Sequence, residues 1–177
     1  MLIRVVAESG WHGRLSWPGG QRPCRLGRAG IRVDKREGDG ATPAGLHPLR
    51  RVLWRDDRLS PPATGLPRQP IRPDDGWCDD PADAAYNRPV TLPYPGRHER
   101  LWRDDGLYDV IVVIGHNDDP VVAGAGSAVF IHVVAPDGAP TAGAPTAGCI
   151  ALALPDLLAL LTACRLGDAI DVEAGEK

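Results

Sequence analysis

The chain has 177 residues, 43% of them apolar and 24% charged, enough for one domain with a sizeable core and too apolar for a disordered chain. A formal charge of −3, with scattered rather than striped basic residues, gives a nucleic-acid partner no electrostatic support. No apolar run approaches the roughly 18 residues needed to cross a bilayer, so no membrane span is expected.

The 21 glycines and 18 prolines, beside one Phe and one Met, favour short strands joined by many turns over a helical bundle. In chain order, strand-like runs fall at 2–6 (LIRVV), 13–17 (GRLSW), 49–54 (LRRVLW), 108–114 (YDVIVVI) and 127–134 (SAVFIHVV). Arg4 interrupts the first run before a signal-peptide apolar region can form, so no signal peptide is visible. The run 108–114, apolar but for Asp109, predicts a central strand buried on both faces.

Residues 55–106, dense in Pro, Asp, Arg and Trp, lack periodicity and read as a long ordered insertion, with Trp77, Tyr86, Tyr94 and Trp102 as its anchors. Trp77, with Asp79 and Asp80, either lines a cleft as a lid or pins the insertion to the core; anchoring is the favoured reading, and Cys78 beside it is structural.

One helix is predicted in 154–168 (LPDLLALLTACRLGD). Pro155 suits its first position and Asp156 its positive start, Gly167 provides a stop, and Leu157, Leu158, Leu161 and Cys164 form its buried face. A closing strand follows at 168–172. No domain boundary is visible, and residues 1–177 are expected to form one domain.

Cys24, Cys78, Cys149 and Cys164 show neither a C-x-x-C pair nor a regular spacing, which is weak support for a disulfide framework. Cys149 differs from the others. It ends the phrase GAPTAGAPTAGC (138–149), follows Gly148, and lies 17 positions after His132, which sits inside a predicted strand. A free thiol, with a pKa of about 8.5, needs help to act as a nucleophile near neutrality, and a neighbouring imidazole can take its proton. A glycine before the nucleophile lets adjacent N–H groups point at a developing oxyanion. From the residues alone, two core side chains remain the commoner outcome for such a pair. A zinc site of His116, His132 and Cys149 matches no known ligand spacing. The repeated GAPTA unit reads as a passive spacer in the loop between His132 and Cys149.

The sequence resembles the catalytic domain of the YkuD-type L,D-transpeptidases, cysteine enzymes that cross-link bacterial peptidoglycan. The resemblance rests on DGATPAGLHPLRRVL, with Thr42, Pro43 and Gly45 matching a Thr-Pro-x-Gly segment; on GSAVFIHV as the histidine strand; on PTAGCIAL as the Ser/Thr-x-Gly-Cys motif; and on the helix and closing strand that follow. It implies a mainly β, YkuD-like β-sandwich or barrel domain with a short helix after the cysteine. It also implies Cys149 as nucleophile, His132 as base oriented by a backbone carbonyl, and backbone N–H groups of Gly148 and Cys149 as oxyanion hole.

The implied activity is acyl transfer on peptidoglycan stem peptides through a thioester, without metal or organic cofactor, by a monomer in the periplasm or cell envelope. Without a visible signal peptide, a cytoplasmic location stays open. Two positions depart from the family pattern: Ala147 replaces a His or Lys, and Ala151 an Arg or Asn. Substrate contacts are therefore expected from Thr146, Ala147 and Trp77, and from His116, Asn117 and Asp118, whose own alternative is a solvated turn. The rival reading is a non-catalytic peptidoglycan-binding domain on the same fold, with Ala147 and Ala151 as signs of decay.

Overall fold

The computed structural model describes residues 1–135 and 143–174. The first GAPTA copy falls largely on 136–142, so the spacer expectation lies outside the described residues. In chain order the elements are β1 (Leu2–Ser9), β2 (His12–Trp17), β3 (Gly20–Arg25), β4 (Ile31–Arg32), β5 (Thr42–Pro43), β6 (Gly45–Trp54), β7 (Arg68–Pro70) and β8 (Asp75–Cys78). They continue with β9 (Pro89–Thr91), β10 (His98–Arg100), β11 (Val110–Ile114), β12 (Phe130–Val133), β13 (Ile150–Leu152), α1 (Leu154–Ala163) and β14 (Ala169–Glu173).

The mainly β, barrel-like architecture expected from the sequence is present. The principal sheet runs β11-β12-β13-β3-β2-β1-β14-β6 and closes because β6 pairs back onto β11. Closure leaves these strands without a free edge. Alternation then sorts the side chains. Ile3 and Val5 of β1 and Val110, Val112 and Ile114 of β11 enter the interior with Ile131, Ile150, Ile170 and the leucines of α1. Ile111 and Val113 face the other way, into a second apolar layer. The run 110–114 is thus buried on both faces, as its composition predicts.

That second layer is where residues 55–106 lie. The stretch contains β7, which extends β6 in parallel, and a three-stranded sheet in the order β10-β8-β9. Ile71, Trp77 and Leu101 from this stretch pack with Tyr108, Phe130 and Cys149 on the outer face of the barrel. Trp77 meets Phe130 edge-on at 5.1 Å, and Trp102 lies under the Arg55 guanidinium at 3.6 Å. Tyr86 is buried with its hydroxyl donating to Glu37. Tyr94 departs from expectation: its hydroxyl bonds Asp83, within the same stretch, so it braces the insertion rather than tying it to the barrel.

The helix also corrects its predicted face. Leu157, Leu160 and Leu161 are the fully buried residues, and Leu158 is only half-buried. The helix stops at Ala163, before Gly167, and Cys164 is already extended, so this cysteine reaches the core from the turn rather than from the helix stripe. All four cysteines are free.

Candidate active site

β12 and β13 run parallel with His132 beside Ala151, Ile131 beside Ile150 and Val133 beside Leu152. A parallel pair needs a crossover connection, and here the chain makes it between Val133 and Ile150. In this register Ile131, Val133, Ile150 and Leu152 point inward. His132, Cys149 and Ala151 point to the opposite face and line one cavity of about 370 Å³ together with Thr146, Ala147 and Gly148.

The loop before Cys149 is held from behind. Thr146 exchanges backbone bonds with Leu26 and Arg28, at 3.0 and 3.1 Å. Its hydroxyl donates to the Cys149 carbonyl at 2.6 Å and accepts from the Gly148 N–H at 3.1 Å. Gly148 adopts φ +149°, and a Cβ there would stand 2.8 Å from the Ala41 carbonyl oxygen. Thr42, fully buried, accepts the Gly27 N–H at 2.8 Å. The Thr-Pro-x-Gly segment and the cysteine loop, a hundred residues apart, are therefore one packed unit.

The Cys149 thiol donates to the Ala128 carbonyl at 3.2 Å, and its sulfur accepts the Phe130 N–H at 3.3 Å. Burial pushes the thiol up to about 12, with the Glu99 charge adding in the same direction. His132 Nδ1 lies 2.8 Å from the Val133 carbonyl. A carbonyl only accepts, so Nδ1 carries the hydrogen and Nε2 keeps its lone pair. Burial lowers the imidazole to about 4. The edge of Tyr108 packs against the ring at 5.3 Å, and the Tyr108 hydroxyl donates to Glu99. The resting pair is a neutral thiol and a neutral imidazole.

Asn87 sets the backbone around the sulfur. It accepts the Trp77 indole N–H at 2.9 Å and the Ala128 N–H at 3.1 Å, and donates to the carbonyls of His116 and Asn117 at 3.1 and 2.7 Å. With all four positions used, it holds Ala128 at φ +50°, a strained value for alanine, and so aims the carbonyl that meets Cys149.

The remaining sequence candidates lie elsewhere. His116 Nε2 bonds the Ala125 carbonyl at 3.0 Å and its ring packs on His47. The Asn117 side chain bonds Val122 and Gly126, and Asp118 pairs with Arg50 at 2.8 Å. These bonds describe the turn reading; none of the three residues lines the Cys149 cavity, and His116 is thereby apart from the pair a shared zinc ion would need. Trp77 does not line that cavity either and serves as an anchor behind Phe130.

Several charged residues of the cavity escaped sequence reasoning: Glu99 and Arg103 from the insertion, Lys35 and Glu37 from the loop before β5, and Arg25 from β3. Arg25 stands directly across from Ala151 in the β13–β3 pair, so a cation from the neighbouring strand occupies the neighbourhood of that small side chain. No short motif marks any of them.

A closed β sheet that brings a cysteine and a histidine from adjacent strands into one cavity has the form of a cysteine-dependent catalytic domain. The chain belongs to the YkuD family: the family model, described as the L,D-transpeptidase catalytic domain, matches residues 9–172, nearly its whole length. This is a family of cysteine-dependent L,D-transpeptidases that act on peptidoglycan and are generally associated with the cell envelope. No curated protein matches the chain. Among the described residues no helix is long and apolar enough to cross a membrane.

Proposed function

We propose that residues 1–177 work as one catalytic domain, a peptidoglycan L,D-transpeptidase-like cysteine acyltransferase in the periplasm or cell envelope. The observation that carries this reading is that His132 on β12 and Cys149, immediately before the adjacent parallel strand β13, line one cavity, with His132 Nδ1 committed to the Val133 carbonyl. The Cys149 sulfur attacks the carbonyl of an L-centre in a stem peptide while its proton passes to His132 Nε2. The C–N bond breaks, the D-amino acid leaves with that proton on its amine, and a thioester remains. A second amine resolves it to a cross-link or an exchanged D-amino acid; water resolves it to an L,D-carboxypeptidase product.

Because both groups rest neutral, proton transfer accompanies attack instead of preceding it. The developing oxyanion is received by the Cys149 N–H, and by the Gly148 N–H once the Thr146 hydroxyl releases it. Thr146 and Ala147, on the cavity wall, contact the stem.

The rival reading, a peptidoglycan-binding domain without turnover, is favoured by Ala147 and Ala151, where the family pattern has polar side chains. Incubation with muropeptide tetrapeptide stems and mass spectrometry of products and protein separates the two. A released D-amino acid or a thioester on Cys149 supports the enzyme; saturable binding with neither supports the binder.

A further inference from the structure

A second cavity, of about 170 Å³, shares Val129 with the first and is floored by Trp77 and Phe130. Its charge pattern follows from an irregularity in the sheet. β11 pairs Val113 with Arg51 but Ile114 with Leu49, so the register shifts at Arg50. In a regular strand two consecutive side chains point to opposite faces; a bulge re-aims one of them, and here Arg50 and Arg51 both line the cavity. Gly115 makes room, since a Cβ there would stand 2.8 Å from Arg50 Nε.

Asp118 answers only Arg50, binding it in bidentate fashion at 2.8 and 3.2 Å. Arg51 stands 5.8 Å from the Trp77 ring, and its Nε is shielded from solvent with no partner among the described residues. Arg88, from the insertion, lines the same space and has no carboxylate within 4.0 Å among the described residues. Three guanidinium groups thus face one acid, and a shielded donor without a partner is costly.

We infer that this cavity is a binding site for a small monocarboxylate, taken by the guanidinium groups of Arg51 and Arg88, with the apolar body of the ligand resting on Trp77 and Phe130. The planar guanidinium fork matches a two-oxygen acid, and the aromatic floor favours a carboxylate on a carbon body over a bare inorganic anion. The free carboxyl end of a short peptide has this chemistry. The site does not depend on the reaction proposed above, although it reaches the same β-strand: the Phe130 N–H that meets Cys149 belongs to the residue whose side chain backs this cavity.

The test is a titration of the full chain with N-acetylalanine, N-acetylalaninamide and inorganic phosphate, read by calorimetry and by the arginine Nε–H resonances. N-acetylalanine should shift one resonance saturably, identified as Arg51 by its loss in Arg51→Gln. Arg51→Gln should weaken binding at least tenfold and the exposed Arg88→Gln at least fivefold, while Cys149→Ala binds as the parent does. The inference is overturned if the amide binds as well as the acid, if phosphate binds more tightly, if no saturable shift occurs, if both arginine variants bind normally, or if Cys149→Ala abolishes binding.

Discussion

Replacing His132 by Ala removes the imidazole proposed to take the Cys149 proton, and the expected loss depends on pH in a way set by the burial of the two groups. In the parent, burial holds the imidazole at about 4. It therefore stays unprotonated and open to the thiol proton throughout the neutral range, and activity should fall only as pH drops toward that value and the ring takes up a proton. In the variant, attack must draw on thiolate formed without a base. With the thiol at about 12, roughly one molecule in 10⁴ is ionised at pH 8 and roughly one in 10² at pH 10, so the rate should climb about tenfold per pH unit. A positioned base contributes about 10²–10⁴-fold, so a deficit of about a thousandfold near pH 7 should narrow to about tenfold near pH 9. Single-turnover acylation by a carbapenem, followed by absorbance and by mass spectrometry of the protein, measures both profiles. A variant profile without slope, a parent optimum centred near 6.5, or label on any residue but Cys149 would refute the neutral-pair mechanism.

Cys149→Ala should abolish thioester formation with the fold intact, whereas Cys24→Ala and Cys164→Ala keep activity, since both those side chains lie in the barrel interior and line neither cavity; the same acylation assay on folded variants decides it. Gly148→Ala should cost about 1–3 kcal/mol through its backbone conformation, visible as a lower Tm, and slow acylation at least tenfold because the Cβ collides with the Ala41 carbonyl. The folded chain binds fewer protons on His132 than the unfolded chain between pH 6.5 and about 4. Its contribution, about 3 kcal/mol, is present above pH 6.5 and lost as pH falls through that window. Urea midpoints at pH 7.5 and 4.5 should differ less in His132→Gln than in the parent, and equal differences would contradict the burial.

Much of the barrel was legible because its strands are long enough to display a pattern. Ile3 and Val5 alternate with exposed neighbours, and Val110–Ile114 is apolar throughout. The cysteine loop was legible for another reason: position 146 needs a hydroxyl for its two bonds and Gly148 has no room for a Cβ, so they leave a motif. The strands of the insertion, three or four residues each, are too short for periodicity to register. Asn87 could not be found from sequence, because its four bonds reach Trp77, Ala128 and the 116–117 turn, which only the tertiary fold assembles. Arg25 was hidden likewise, since its position across from Ala151 depends on the β13–β3 register. His116 and Asp118 have partners that the sequence does not display: His116 meets the Ala125 carbonyl and Asp118 pairs with Arg50.

Cys149 is also a packing residue, buried in the same outer layer as Phe130 and Tyr108. Evolution could therefore silence the proposed chemistry without disturbing the architecture: a single change of the sulfur to a hydroxyl or methyl group would keep the wall, the cavity and the register of β12 against β13. Between an enzyme and a binder on this scaffold there is no structural barrier to cross, so a lineage can pass from one to the other while its shape stays constant. Within such a lineage, shape records ancestry, and only the sulfur records employment.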